Sequence, residues 1–402
     1  MGNVVVDAGR RVAVGLAAAA LILAGCSTGT LTRDDAADRN AARPTGHVHP
    51  TTPPPTFPVR TGERVLSLAL ARPYTPNAPR GGTDDYRCFL LDPHLTGTGF
   101  LTGFGFQPGN PEAVHHAILF RVRPDRVAAA ESADASSDGD GWSCFGGSGV
   151  PDGGGRGGQR LDDAPWLAAW APGGKAQTYP DGFGVRVEAG SRFVLQVHYN
   201  LRISRAPDRT GLRLRVTPAS PSIRPLETVL LPAPVELPCA PGESGRLCDR
   251  DPAVLDVMSR FGEESGATVA GLQLLCGGDP AAPRAAVTQS CDRRIDRPTT
   301  VRAVAGHMHL LGKSIRITVH PGTPRERVLL DVPVWNFDDQ GARRLAKPVT
   351  LGKGDVVRVT CTHDAGKRKL LPALADTPPR YVVWGEGTTD EMCLGTMIVT
   401  RP

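Results

Sequence analysis

Turn-forming residues break this chain into short pieces, and that limits what it can fold into. Its 402 residues include 47 glycines and 37 prolines. Turns this frequent favour an all-β architecture over a helical bundle. The stretches AILFRVR (117–123), FGVRVEAGSRFVLQVHYN (183–200) and GLRLRVTP (211–218) read as strands bounded by turn residues. A second series follows: TTVRAVAGHMHLL (299–311), SIRITVH (314–320), RVLLDVPVW (327–335), DVVRVTCTH (355–363) and YVVWGEG (381–387). The length admits two domains with sizeable cores, and no short-period repeat is present. Two successive β-sandwiches fit best, with the change of domain near Pro218 to Pro225. A short helix is expected within 251–265, and a polar surface excursion in the Gly, Ser and Asp-rich stretch 131–159.

The N-terminus reads as an export signal. Arg10 and Arg11 precede an apolar stretch, Val12 to Ala24, too short to span a bilayer comfortably. It ends in Leu23-Ala24-Gly25-Cys26, which resembles the bacterial lipobox and implies cleavage before Cys26 and a lipid anchor on its thiol. Residues 1–25 are then the signal and 26–75 a Pro/Thr-rich tether that includes His47 and His49, read as solvated. Residues 76–220 and 221–402 are the two expected domains. The net charge of +5 comes from dispersed cations, so no nucleic-acid footprint is expected.

Export implies an oxidising compartment. Eight cysteines remain besides Cys26: Cys88, Cys144, Cys239, Cys248, Cys276, Cys291, Cys361 and Cys393. Their even count fits a disulfide framework, and none shows the CxxC spacing of a zinc or redox site. The expected pairs are Cys239 with Cys248, Cys276 with Cys291 and Cys361 with Cys393, leaving Cys88 for Cys144. The count alone leaves the connectivity open.

Four motifs carry soft, nitrogen-rich donors: His115-His116 in VHHAILF, His198 in LQVHYN, His307 and His309 in GHMHLLGK, and Met392 in DEMC. Five imidazoles and a thioether suit copper better than magnesium or calcium. On a strand, His307 and His309 share one face and Met308 points to the other. The adjacent His115 and His116 would face opposite ways on a regular strand. They need a bulge, a strand end or different ring nitrogens to share an ion. Val114, Ile118 and Phe120 are expected on the face of His116, and Gln196 on that of His198.

In this order the motifs resemble those of the copper type II, ascorbate-dependent monooxygenases, the family of the peptidylglycine alpha-hydroxylating and dopamine beta-monooxygenases. VWNFDDQ (334–340) and CTHDAG (361–366) add to the resemblance, which spans roughly residues 84–397. It implies two jelly-roll-like sandwiches facing each other across a cleft. One copper would be held by His115, His116 and His198 and would store and pass an electron. A second, catalytic copper would be held by His307, His309 and Met392, and would bind dioxygen and hydroxylate a C–H bond. Ascorbate or an equivalent one-electron donor would be the co-substrate. The Cys361–Cys393 pair matches a disulfide of the family.

The departures bear on the substrate. Peptide-amidating members have an arginine two residues before the HxH pair, where this chain has Ala305. They have Asn and Tyr shortly after the DEMC methionine, where it has Leu394 and Thr396. A peptide carboxylate would lose its charge-assisted anchors, which argues against amidation. Gln196 is the candidate for ordering water or a small-molecule substrate between the coppers. The expected function is a lipid-anchored copper monooxygenase acting on an unassigned small substrate. A copper-buffering lipoprotein on the same scaffold is the second reading. Substrate identity and oligomeric state are not legible.

Overall fold

The computed structural model describes residues 55–79, 82–137, 140–150 and 166–402. The signal, Cys26, His47 and His49 lie outside the described residues. The chain is all-β, with two sheet pairs that follow one another in sequence and share no strand. In the first pair, one sheet runs Arg64–Ala69, Gly211–Pro218, Gly99–Gln107, Phe183–Val187 and Arg224–Pro225. The other runs Trp142–Ser143, Asp84–Leu91, Arg192–Asn200, Val114–Val122 and Trp166–Trp170. Leu101, Phe104, Leu212 and Leu214 from the first sheet pack with Phe89, Leu119, Leu195 and Val197 from the second.

Strand Arg192–Asn200 is buried on both faces. Phe193, Leu195, Val197 and Tyr199 enter the core between the sheets. Alternation turns Val194, Gln196 and His198 to the opposite face. There Val194 joins a smaller cluster with Cys88, Phe120, Trp142, Cys144 and Val150.

The second pair begins directly after Leu226. One sheet runs Glu227–Pro232, Leu394–Thr400, Thr299–His307 and Arg343–Leu351. The other runs Thr288–Arg294, Val356–His363, Gly312–Val319 and Arg327–Val332. Val301, Val304 and Met397 meet Ile315, Ile317 and Val359 in its core. The disulfide Cys361–Cys393 ties the strand Val356–His363 of one sheet to the entry of Leu394–Thr400 in the other. All four expected pairs are present. Among the described residues no helix is long and apolar enough to cross a membrane.

Three expectations need correction. The tether does not extend to residue 75: Arg64–Ala69 is a strand paired with Gly211–Pro218. Its Leu66 and Leu68 pack against the core, and Arg215 donates to the Pro58 carbonyl at 2.7 Å. Composition hid this strand because the proline-rich run before it dominates the window. The stretch 131–159 is not simply a polar excursion. Cys144 is bonded to Cys88 as expected, but among the described residues of this stretch Trp142 and Val150 are buried beside that bridge rather than exposed. In place of one short helix there are two, Arg250–Phe261 and Glu263–Leu275. Gly262, at φ +93°, ends the first, a conformation that suits glycine.

The Cys361–Cys393 bridge closes a sequence separation of 32 residues. Replacing both cysteines by serine is expected to lower stability by about 3–4 kcal/mol, measured by chemical denaturation. An unchanged midpoint would show that the bridge constrains nothing.

Candidate metal centre

His116 and His198 sit directly opposite each other on neighbouring strands, and Tyr86 is the partner of His198 on the other side. The three side chains form a row across the sheet. The strand carrying His115 shifts register between Val114 and His116. This bulge is one of the routes by which adjacent histidines can share an ion. It also moves Val114 off the face of His116 and into the core with Ala117 and Leu119, against expectation.

The ligating atoms of His115, His116 and His198 all lie within 4.8 Å of one another. Their Nδ1 atoms converge: His115 to His198 is 3.0 Å and His198 to His116 is 3.4 Å. Two donors about 2.0 Å from one ion and 95–115° apart sit roughly 3.0–3.4 Å from each other, so the spacing fits a shared ion. The other nitrogen of His198, Nε2, faces Asp84 Oδ1 at 2.8 Å. Nε2–H therefore donates to Asp84, and the Nδ1 lone pair is left toward the other two imidazoles. The Tyr86 hydroxyl lies 2.9 Å from the same Nδ1, with its ring stacked on His198 at 4.0 Å.

Burial, and then the neighbouring imidazoles, hold His115 and His116 well below the usual histidine range. Burial also lowers His198, against the pull of Asp84. Neutral imidazoles keep their lone pairs available. Lone pairs facing each other this closely repel unless a proton or cation lies among them, which fits a metal-binding role.

The second group is built at the end of strand Thr299–His307. Met308, just past the end of the strand, is fully buried in the core. Gln340 donates its amide to the Phe337 carbonyl, so its oxygen faces His307 Nδ1 at 2.6 Å. Nδ1–H of His307 donates to that oxygen, leaving Nε2 as the free donor atom. His309 Nδ1 is 3.1 Å from the Asp390 carbonyl, and its Nε2 is buried with no hydrogen-bond partner. An orphaned buried nitrogen of this kind calls for a partner. Burial brings His307 down to about 3.

Met392 follows Glu391, whose carboxylate accepts from the backbone N–H groups of His309 (2.9 Å) and Leu311 (2.5 Å). One acid thus clamps the HxH turn to the methionine. Burial pushes Glu391 up, but the hydrogen bond and charge of His363 outweigh it, and the carboxyl lies below its ordinary value.

The two groups face each other. Ring centroids are 6.2 Å apart for His115 and His309, and 6.0 Å for His116 and His307. Phe337 stacks on His115 at 5.1 Å, and the Trp335 indole donates to the His309 carbonyl. Beside them lies a cavity of about 180 Å³ reached by His116, His307, Met392 and Gln196. Its walls include Trp166, Trp170, Trp384 and Ile118. Ala305, Leu394 and Thr396 also line it, so the positions that carry the peptide anchors in amidating enzymes offer no charge here. Gln196 is fixed by donating to the Gly147 carbonyl at 2.9 Å.

Sequence reasoning missed Asp84, Tyr86, Phe337, Gln340, His363 and Glu386. Asp84 and Tyr86 had a weak signal, being two residues apart in a strand that leads to Cys88. Glu386 had none. It is a buried carboxyl on the cavity wall, beside Gly146, with no ion-pair partner among the described residues. Burial pushes it up to about 7.

No family model matches the chain. Dopamine beta-hydroxylase of Equus caballus is 28% identical over 241 residues, covering 57% of this chain and 31% of that protein. The enzyme of Rattus norvegicus is 28% identical over 236 residues, with the same two shares, 57% and 31%. The chain therefore matches less than a third of the length of these relatives. Among solved structures, PNGase F, a glycosylasparaginase from Flavobacterium meningosepticum, is similar with a TM-score of 0.31 and 6% identity, over 84% of this chain and 96% of that one. That level carries no argument. The two sequence matches indicate a distant, copper-monooxygenase-like relationship.

Glu386 gives a pH test. Its folded pKa is raised, so the folded state holds a proton that the unfolded chain releases. The associated stability is complete below about 4.5 and is lost as pH rises through about 7. Glu386→Gln should gain on the parent between pH 5 and pH 8, by about 3 kcal/mol at the upper end, in denaturation of the metal-free proteins. A constant difference across that range would show that the carboxyl is not desolvated.

Proposed function

We propose that this chain is a copper-dependent monooxygenase that hydroxylates a C–H bond of a small, largely apolar substrate with dioxygen and a one-electron donor such as ascorbate. His115, His116 and His198 would hold one copper through Nδ1. His307, His309 and Met392 would hold the other. The observation that carries the reading is the pairing of two unlike donor sets: three converging Nδ1 atoms face an HxH pair with an orphaned Nε2, next to a methionine and a cavity. Copper bound at these groups would supply one-electron steps and, at the thioether-bearing group, dioxygen activation. The thioether favours the reduced ion there.

The protein's own residues supply the rest. Burial keeps His115, His116, His198 and His307 neutral at working pH. Asp84, Gln340 and the Asp390 carbonyl fix which ring nitrogen is free on His198, His307 and His309. The aromatic walls exclude water from the reacting centre. Among the described residues Glu386 is the one carboxyl on the cavity wall, and it suits a substrate that brings a hydrogen-bond donor or positive charge. A copper buffer needs neither a cavity nor two different donor sets, so catalysis is the better reading. The four disulfides fit an exported protein. We further propose that Cys26 carries a lipid anchor.

Metal analysis of the purified protein should find two coppers per chain. Met392→Ala should keep the copper of the all-histidine group and lose ascorbate- and oxygen-dependent hydroxylation by more than about 100-fold, since loss of a ligand exceeds the 10–100-fold effect of losing its support. Full copper loading without oxygen uptake on a broad panel of small aromatic and aliphatic substrates would favour buffering instead.

A further inference from the structure

We propose that Asp84 is a positioning residue for both metal-binding groups at once. This rests on the copper reading above. One oxygen of Asp84, Oδ1, accepts from His198 Nε2 at 2.8 Å, from the Thr388 hydroxyl at 2.8 Å and from the Thr388 backbone N–H at 3.0 Å. Its other oxygen accepts from Thr83 at 2.7 Å. His198 belongs to the first sandwich, and Thr388 lies four residues before Met392 in the second. The side chain is almost fully buried, at 4% exposure, so these donors are its solvation shell. A neutral acceptor would hold three donors on one oxygen poorly, whereas a carboxylate holds them strongly.

The segment that Asp84 grips is braced at its base. Gly385 N–H donates to the Glu391 carbonyl, and Trp384 bridges to Glu391. Asp390 accepts from Gly387 N–H and takes a bidentate bond from Arg260. Residues 384–391 therefore form a closed loop with Met392 at its exit. Holding its tip at Thr388 fixes where that exit points. Tyr86 donates to the Glu386 carbonyl and adds a second hold from the same sheet. The carboxylate that sets the tautomer of His198 thus also docks the loop that delivers the methionine. Loss of the carboxylate itself should therefore be felt at both groups.

The test uses the intact protein with three variants, Asp84→Asn, Asp84→Ala and Thr388→Val. Copper affinity is read by chelator competition, and loop docking by hydrogen exchange of residues 385–391 in the metal-free state. Asp84→Ala should weaken copper at the His115, His116 and His198 group by 10–100-fold and speed exchange at Thr388 at least about tenfold. Asp84→Asn, close to isosteric, should fall between it and the parent. Thr388→Val keeps the support of His198, so its loss should appear at the His307, His309 and Met392 group, several-fold, with the first group unchanged. A lower melting temperature with both copper affinities and loop exchange unchanged would overturn the proposal. Parent protein that binds no copper would instead sink the copper reading, and the metal-free exchange would still decide whether Asp84 holds the loop.

Discussion

At His115 one strand slips its register against its neighbour, and the rest of the site depends on that slip. The regular alternation that seats Ala117 and Leu119 in the core would send His115 inward with them. The irregularity between Val114 and His116 lets Val114 take the core position, while both histidines turn to the outer face. Only then do three imidazoles from two strands meet. The outer face would ordinarily be solvated, yet His115, His116 and His198 are all buried. They are covered by Phe337, His307 and His309 of the second sandwich and by Tyr86.

That covering has an electrostatic effect. Removing imidazoles from water disfavours their protonated form, so they stay neutral where exposed histidines would begin to charge. The fixed partners then decide which nitrogen is offered. The all-histidine group turns Nδ1 inward, while the HxH group presents Nε2. On the reading proposed above, two sets so different in donor atom and composition, about 6 Å apart by ring centroid, would serve different redox tasks rather than storage of one ion.

Much of this was legible in the residues. Period-two alternation located most strands and the shared face of Gln196 and His198. Adjacency called for a bulge, a strand end or different ring nitrogens at His115-His116, and the strand carries a register shift there. The disulfide pairs came out as expected, although the count left them open. What stayed hidden depended on contacts distant in sequence. Asp84 meets His198 and Thr388 across separations of 114 and 304 residues, and nothing local marks such a carboxylate. Glu386 looks like part of a glycine-rich turn until folding buries it. The strand Arg64–Ala69 was masked by the prolines before it, and the helix Glu263–Leu275 by an interrupting glycine.

If the site takes up copper, as proposed above, the cysteine framework bears on when it could do so. Thiolates outcompete imidazoles and thioethers for soft monovalent copper. While the chain is reduced, Cys88, paired across the sheet with Gln196, and Cys393, next to Met392, would be rival ligands where the proposed copper ions would settle. Once all eight described cysteines are paired, those rivals are gone and only the intended donors remain. On the copper reading proposed above, oxidative maturation would precede metallation, and copper that arrived early would be trapped on sulfur.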